Sequence, residues 1–231
     1  MSDILSSISW YLVISVIGWV AFPIAYRFFP KLTSRGFALA RPLGMLLWGF
    51  VFWLLATMGV LQNNIGGEII AFAIIAGLAT WAIWGERYKQ LIAWMKQNYR
   101  SILTIEILFL VTFAFWTWIR GMNPEVAYTE KPMELAFINS ILRSPSLPPQ
   151  DPWLSGYSIS YYYFGYILIA MLTRAASIAS AVSFNLSSSL WFALTATAAY
   201  GIVFDLVSVF GKQNGKPDTE MAGTSPRPRT S

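Results

Sequence analysis

Glu130, Glu134 and Asp151 lie in one polar stretch of a chain otherwise poor in charge, and Arg120, Lys131 and Arg143 accompany them. Carboxylates held at defined places suit catalysis or metal binding. Oxygen-only sets also hold hard cations such as Mg or Mn, and Glu130 with Asp151 is the pair expected to do so. A plainer alternative is that acids in a polar loop are solvated or cap a helix. With no His and no Cys in the chain, disulfides, thiolate metal sites, cysteine nucleophiles and imidazole proton transfer are excluded.

The elements that must position these groups are legible nearby. In "TEKPMELAFINSILRS", Pro132 suits a first helical position and Glu134 meets the positive end of the helix dipole, so a short helix is expected over about 132–142. Met133, Phe137, Ile138, Ile141 and Leu142 make an apolar stripe, which suits a helix lying on a membrane surface. Glu130 precedes Pro132 and is expected in the turn before the helix. In "RSPSLPPQDPW" four prolines prevent helix, so this segment should run as a stiff strap that fixes Asp151 and Trp153. Then comes the triplet Tyr161, Tyr162 and Tyr163. It reads either as an interfacial belt or, since successive helical residues point about 100° apart, as a set with at least one ring facing protein or a cavity. In the second case the rings, with Trp153, would stack on a sugar, and Gly165 would allow close approach of a helix or ligand.

Of the 231 residues, 56% are hydrophobic and only 12% charged, far too apolar for a soluble core of this size. The expected fold class is all-α: a polytopic integral membrane bundle of about six transmembrane helices. Four spans should fill residues 1–119, at about 4–26, 42–61, 69–85 and 101–119. The acidic loop covers 120–158, two further spans lie at about 159–180 and 188–210, and a polar tail, 211–231, is expected to be disordered. Basic residues collect in 27–42 and 86–100, which places those loops in the cytoplasm and the 120–158 loop outside a cell membrane. The net charge of +5 therefore reflects orientation rather than nucleic-acid binding. Within the spans, Glu106 and Arg174 are expected to form an ion pair, unless Arg174 snorkels to the inner surface. Asp205 should lie near the outer end of the last span, lining an outer cavity or hydrogen-bonded within the bundle.

The run from Glu106 to Tyr166, with "EKPME", "PPQDPW" and "YYYFGY" in order, resembles the YYY membrane-protein family, and so do "RGFALARPLG" and the Trp-rich second span. That family is similar in plan to membrane glycosyltransferases of the C-type fold. The resemblance implies a polyprenyl-phosphate sugar donor, Glu130 or Glu134 at the catalytic or metal position, Asp151 at the second acidic one, a carboxylate that deprotonates or orients the acceptor, and Arg120, Lys131 and Arg143 as substrate-binding residues that neutralise the donor phosphate. Members are usually longer, so the chain is expected to be an N-terminal part of a longer protein, completed by a further half or a membrane partner. Two other readings compete: a non-catalytic membrane subunit or scaffold, and a transporter whose polar path uses Glu106, Arg174 and Asp205.

Overall fold

The computed structural model describes residues 3–214, with side chains to Phe210, and all regular secondary structure among them is helical. Helix α1 (Asp3–Phe28), α2 (Ala40–Thr57, entered through a 3-10 turn at Phe37–Leu39), α3 (Ile65–Ala82), α5 (Tyr99–Met122) and α8 (Ser180–Asn214) are long and apolar. These five have the length and composition to cross a membrane. The chain is a polytopic helical membrane protein. Three shorter helices complete it: α4 (Glu86–Gln97), α6 (Lys131–Arg143) and α7 (Phe164–Ala176).

Side-chain contacts sort the helix ends into two groups. At one end the start of α1, the end of α5 and the start of α8 meet: Asp3, Arg120 and Asn185 share a cavity. The turn between α2 and α3 joins them there, since Asn63 N donates to Pro145 O at 3.2 Å in the acidic loop. At the other end lie the basic segments. Arg27 reaches Trp81 O of α3, and Trp94 of α4 packs on Phe22 and Tyr26 of α1. The basic stretch 86–100, expected as a loop, is thus largely the amphipathic helix α4, which buries Leu91 and leaves its charges in solvent.

The fifth expected span, at about 159–180, is not long enough to be a crossing. Residues expected to span from about 159 are helical only over Phe164–Ala176, and 13 residues at about 1.5 Å each reach about 20 Å, short of the roughly 30 Å of hydrocarbon. Every residue from Ile167 to Thr173 is buried. The apolarity that resembled a lipid-facing span belongs to a helix enclosed by protein, packed among α1, α2, α6 and α8. Gly49 makes room for it: a Cβ there would lie 2.0 Å from Leu168 Cδ2. Both ends of α7 stay in the half of the bundle nearest the acidic loop, because Tyr163 meets Trp53 near the end of α2 and Ala176 O accepts from Ser9 Oγ of α1 at 2.9 Å.

With α7 not crossing, α8 runs from the acidic-loop end to the basic-loop end, opposite to the expected sense. Asp205 is therefore not near the acidic loop. It is 5% exposed and accepts from Ser34 N at 2.7 Å and Ser34 Oγ at 2.6 Å, within the 27–42 segment. Hydrogen bonding inside the bundle is its role. Helix α8 also continues past Gly211 to Asn214, into the stretch expected as a tail; the rest of that stretch, 215–231, lies outside the described residues.

The buried charges pair differently from expectation as well. Glu106 bonds Arg41 at 2.5 Å, not Arg174, and the Arg41 guanidinium lies 4.1 Å from the centre of the Phe109 ring. Arg174 pairs with Glu68 of α3 at 2.5 Å. The reason is topological: Glu106 lies toward the basic end of α5, whereas α7 never leaves the other half of the bundle.

Candidate functional site

Helix α6 is held over the acidic-loop end by a buried polar clamp. Arg174 Nη1 donates to Asn63 Oδ1 at 3.0 Å and Glu68 Oε1, and Arg174 Nη2 donates to Ile141 O at 3.1 Å. Asn63 Nδ2 donates to Ile141 O and Ser144 O, both at 2.7 Å, taking up carbonyls at the end of α6 that no helical N–H can satisfy. Phe137, Ile138 and Ile141 are buried beneath. The helix is thus seated on the bundle and not simply laid on a lipid surface.

The strap after α6 turns back on itself. Ser140 Oγ bonds Gln150 O, Gln150 N donates to Ser144 Oγ at 2.9 Å, and Ile159 N donates to Pro149 O at 2.9 Å. Between these ties, Asp151 Oδ1 accepts from Trp153 N at 2.8 Å and Leu154 N at 2.9 Å. Asp151 shapes the turn that carries Trp153. The triplet that follows is not helical. Tyr163 is the residue preceding α7, and Tyr161 and Tyr162 lie before it in irregular chain. The three rings still diverge. Tyr163 Oη accepts from Trp53 Nε1 at 3.3 Å, whereas Tyr161 packs against Phe137 with ring centres 5.7 Å apart and Tyr162 meets Tyr161 at 4.4 Å with the ring planes 51° apart.

Around Phe137 the structure assembles one patch. Trp153, Tyr161 and Tyr166 approach its ring to 5.6, 5.7 and 5.5 Å, and Glu134, one turn earlier on α6, accepts a 3.4 Å hydrogen bond from Tyr166 Oη. Glu130 immediately precedes α6, after Tyr128 and Thr129 in left-handed backbone at φ 65° and 53°. Its carboxylate acts on Tyr161: burial first, then Glu130 and Glu134, raise that phenol above its ordinary range. Tyr166, which lies outside the five spans, is pushed up to about 12 by burial and by Glu134, so it stays a hydrogen-bond donor through neutral pH. Trp153 and Tyr162 are 63% and 80% exposed, leaving ring faces open to a ligand. Beside them Tyr161, Tyr162 and Tyr163 line an aromatic cavity of about 360 Å³ with Phe50, Trp53 and Phe164.

Other expected site residues lie apart. Arg120 donates to Asn185 Oδ1 in the cavity between α1, α5 and α8. Lys131 opens α6, and Arg143 ends it in solvent. Among the described residues no three acidic, His or Cys side chains cluster, and Asp151 Oδ1 already serves two amides.

A family described as uncharacterised membrane proteins, DUF2298, matches residues 47–225. The chain belongs to this family. The matched region holds the whole acidic and aromatic patch together with Glu68 and Arg174, and leaves α1 outside it. No curated protein and no solved structure matches the chain.

Sequence reasoning missed Phe137 as the floor of the patch, Tyr166 as the partner of Glu134, and the Asn63–Glu68–Arg174 clamp. A signal existed for the last. Glu68 opens an apolar span with no local base, and Arg174 interrupts an apolar helix with no local acid, so each needs a distant partner.

Proposed function

We propose that the patch around Phe137 binds a sugar head group and that the protein is a glycosyltransferase-like membrane protein acting at the outer face on a polyprenyl-phosphate-linked sugar. One observation carries the reading: two carboxylates, Glu130 and Glu134, stand among aromatic rings whose faces are exposed. Flat apolar ring faces stack on the C–H faces of a sugar, while carboxylates accept from its hydroxyls. The adjoining aromatic cavity suits the apolar part of a lipid carrier. The YYY-family resemblance points the same way.

In this reading Glu134 takes the proton of the acceptor hydroxyl. The acceptor oxygen attacks the anomeric carbon, the sugar–phosphate C–O bond breaks, and the lipid phosphate leaves with the electron pair. Tyr166 fixes the Glu134 carboxylate without neutralising it. Glu130 orients the sugar, Lys131 and Arg143 attract the anionic donor, and Asp151 positions Trp153 through its turn. Orientation rests on the basic segments 27–42 and 86–100 lying together at one end, in the cytoplasm by charge bias.

The test is sugar transfer from a polyprenyl-phosphate donor by protein reconstituted in liposomes. The E130Q/E134Q double variant is expected to lose transfer at least about 100-fold while keeping its melting temperature. Undiminished transfer would sink the assignment. A scaffold reading is favoured by the exposure of the same rings, and predicts instead that W153A/Y162A releases a co-purifying membrane protein.

A further inference from the structure

A second cavity, of about 260 Å³, opens between the start of α1, the end of α5 and the start of α8. Three polar atoms in its wall are buried without any hydrogen-bond partner among the described residues: Thr117 Oγ1, Arg120 Nε and Ser189 Oγ. Ser189 is 0% exposed, so its hydroxyl is withheld from bulk water in an apolar setting, which is costly unless a partner is supplied. Arg120 joins none of the ion pairs among the described residues. Its guanidinium is steadied from one side by Asn185 Oδ1, and Asn185 is in turn tied to Pro124 O at 3.0 Å and Ala181 O at 3.2 Å. An uncompensated guanidinium flanked by two unpartnered hydroxyls has the chemistry of an oxyanion receptor. Asp3 is the one carboxylate in the lining, and it is exposed.

Ser7 and Thr117 line this cavity and also a second hollow, of about 350 Å³, that continues along α1 and α5. There the walls are apolar: Ile8, Leu110, Ala114 and Trp118 among them. A polar end that suits phosphate therefore opens into an apolar channel that suits a hydrocarbon chain.

We propose that this composite cavity seats a lipid phosphate, with the phosphate on Arg120, Thr117 and Ser189 and the chain between α1 and α5. A rotamer change turns the two hydroxyls toward the occupant. The donor's phosphate stays beside its sugar at the aromatic patch during transfer, so this seat takes the lipid phosphate that transfer releases; in that sense it rests on the transferase reading, but binding tests it without any transfer.

The experiment measures binding to detergent-solubilised protein of farnesyl phosphate, inorganic phosphate and farnesol. Farnesyl phosphate is expected to bind more tightly than either of the others. R120Q should weaken it about tenfold or more, the loss expected for a charge-assisted contact. A114W, which fills the apolar channel, should weaken farnesyl phosphate and spare inorganic phosphate. If R120Q does not fold, T117V/S189A tests the polar end with two near-isosteric changes. Farnesol binding as tightly as farnesyl phosphate, or farnesyl phosphate affinity unchanged in R120Q and A114W, overturns the seat and leaves the transferase reading standing. A protein that binds farnesyl phosphate through Arg120 yet transfers no sugar supports the seat and sinks the transferase reading.

Discussion

Helix α7 offers a donor to a carboxylate at each of its ends, and the two ends treat the acid in opposite ways. Arg174, in the last turn, meets Glu68 at 2.5 Å, and Glu68 is 0% exposed. Tyr166, in the first turn, meets Glu134 at 3.4 Å, and Glu134 is only half-buried. A guanidinium cancels the charge it touches; a phenol steadies a carboxylate and leaves its charge in place. The first arrangement builds structure, because two charges can share a low-dielectric site only as a pair. The second keeps an anion aimed at a surface of open aromatic rings. One short helix thus carries a structural clamp and, in the function proposed above, a fixture for chemistry, about two turns apart.

The contrast can be broken most severely at the clamp. Either E68A or R174A leaves a buried charge without its partner and is expected to cost about 3–5 kcal/mol, read as a fall in stability in thermal or denaturant unfolding in detergent. The E68L/R174L double variant should be more stable than either single one; equal or greater loss would mean the pair does more than cancel charge. At the other end, E134Q keeps the hydrogen-bond geometry and removes the anion. It should lower transfer about 100-fold, about 2.7 kcal/mol of activation, with an unchanged melting temperature.

Asp151 sharpens the comparison because its carboxylate is spent on backbone amides. D151A is expected to cost about 1 kcal/mol in stability and to lower transfer in step with the displaced Trp153, whereas D151N, which retains an acceptor oxygen, should behave almost as wild type. Loss of transfer in D151N with stability intact would instead make the carboxylate catalytic. The smallest effect is expected at the exposed rings: W153A or Y162A should shift stability within about 0.5 kcal/mol and raise KM for the sugar donor several-fold at constant kcat.

Helix α6 shows what one sequence can disclose. Pro132, Glu134 and the Phe137–Ile141 stripe announce a short amphipathic helix locally, and the described helix covers Lys131–Arg143. The prolines likewise announce the strap. What the sequence does not disclose is decided at a distance. Composition cannot distinguish an apolar segment that faces lipid from one enclosed by protein, so α7 reads as a crossing until its length and burial are known. That single difference reverses α8, moves Asp205 to Ser34, and separates Arg174 from Glu106. The patch was legible in its parts, Glu130, Glu134, Trp153 and the tyrosine triplet. Its centre was not, because Phe137 reads as one more residue of an apolar stripe.

The enclosure of α7 has a consequence for how the protein is made. Too short to cross a bilayer and carrying a buried arginine, it gives the insertion machinery no signal of its own, while the far longer apolar run of α8 does. Glu68 on α3 and the end of α6 precede α7 in the chain and stand ready to receive Arg174, so its place is settled by packing and not by insertion. A chain that fails to close the clamp presents its aromatic rings without a frame to hold them.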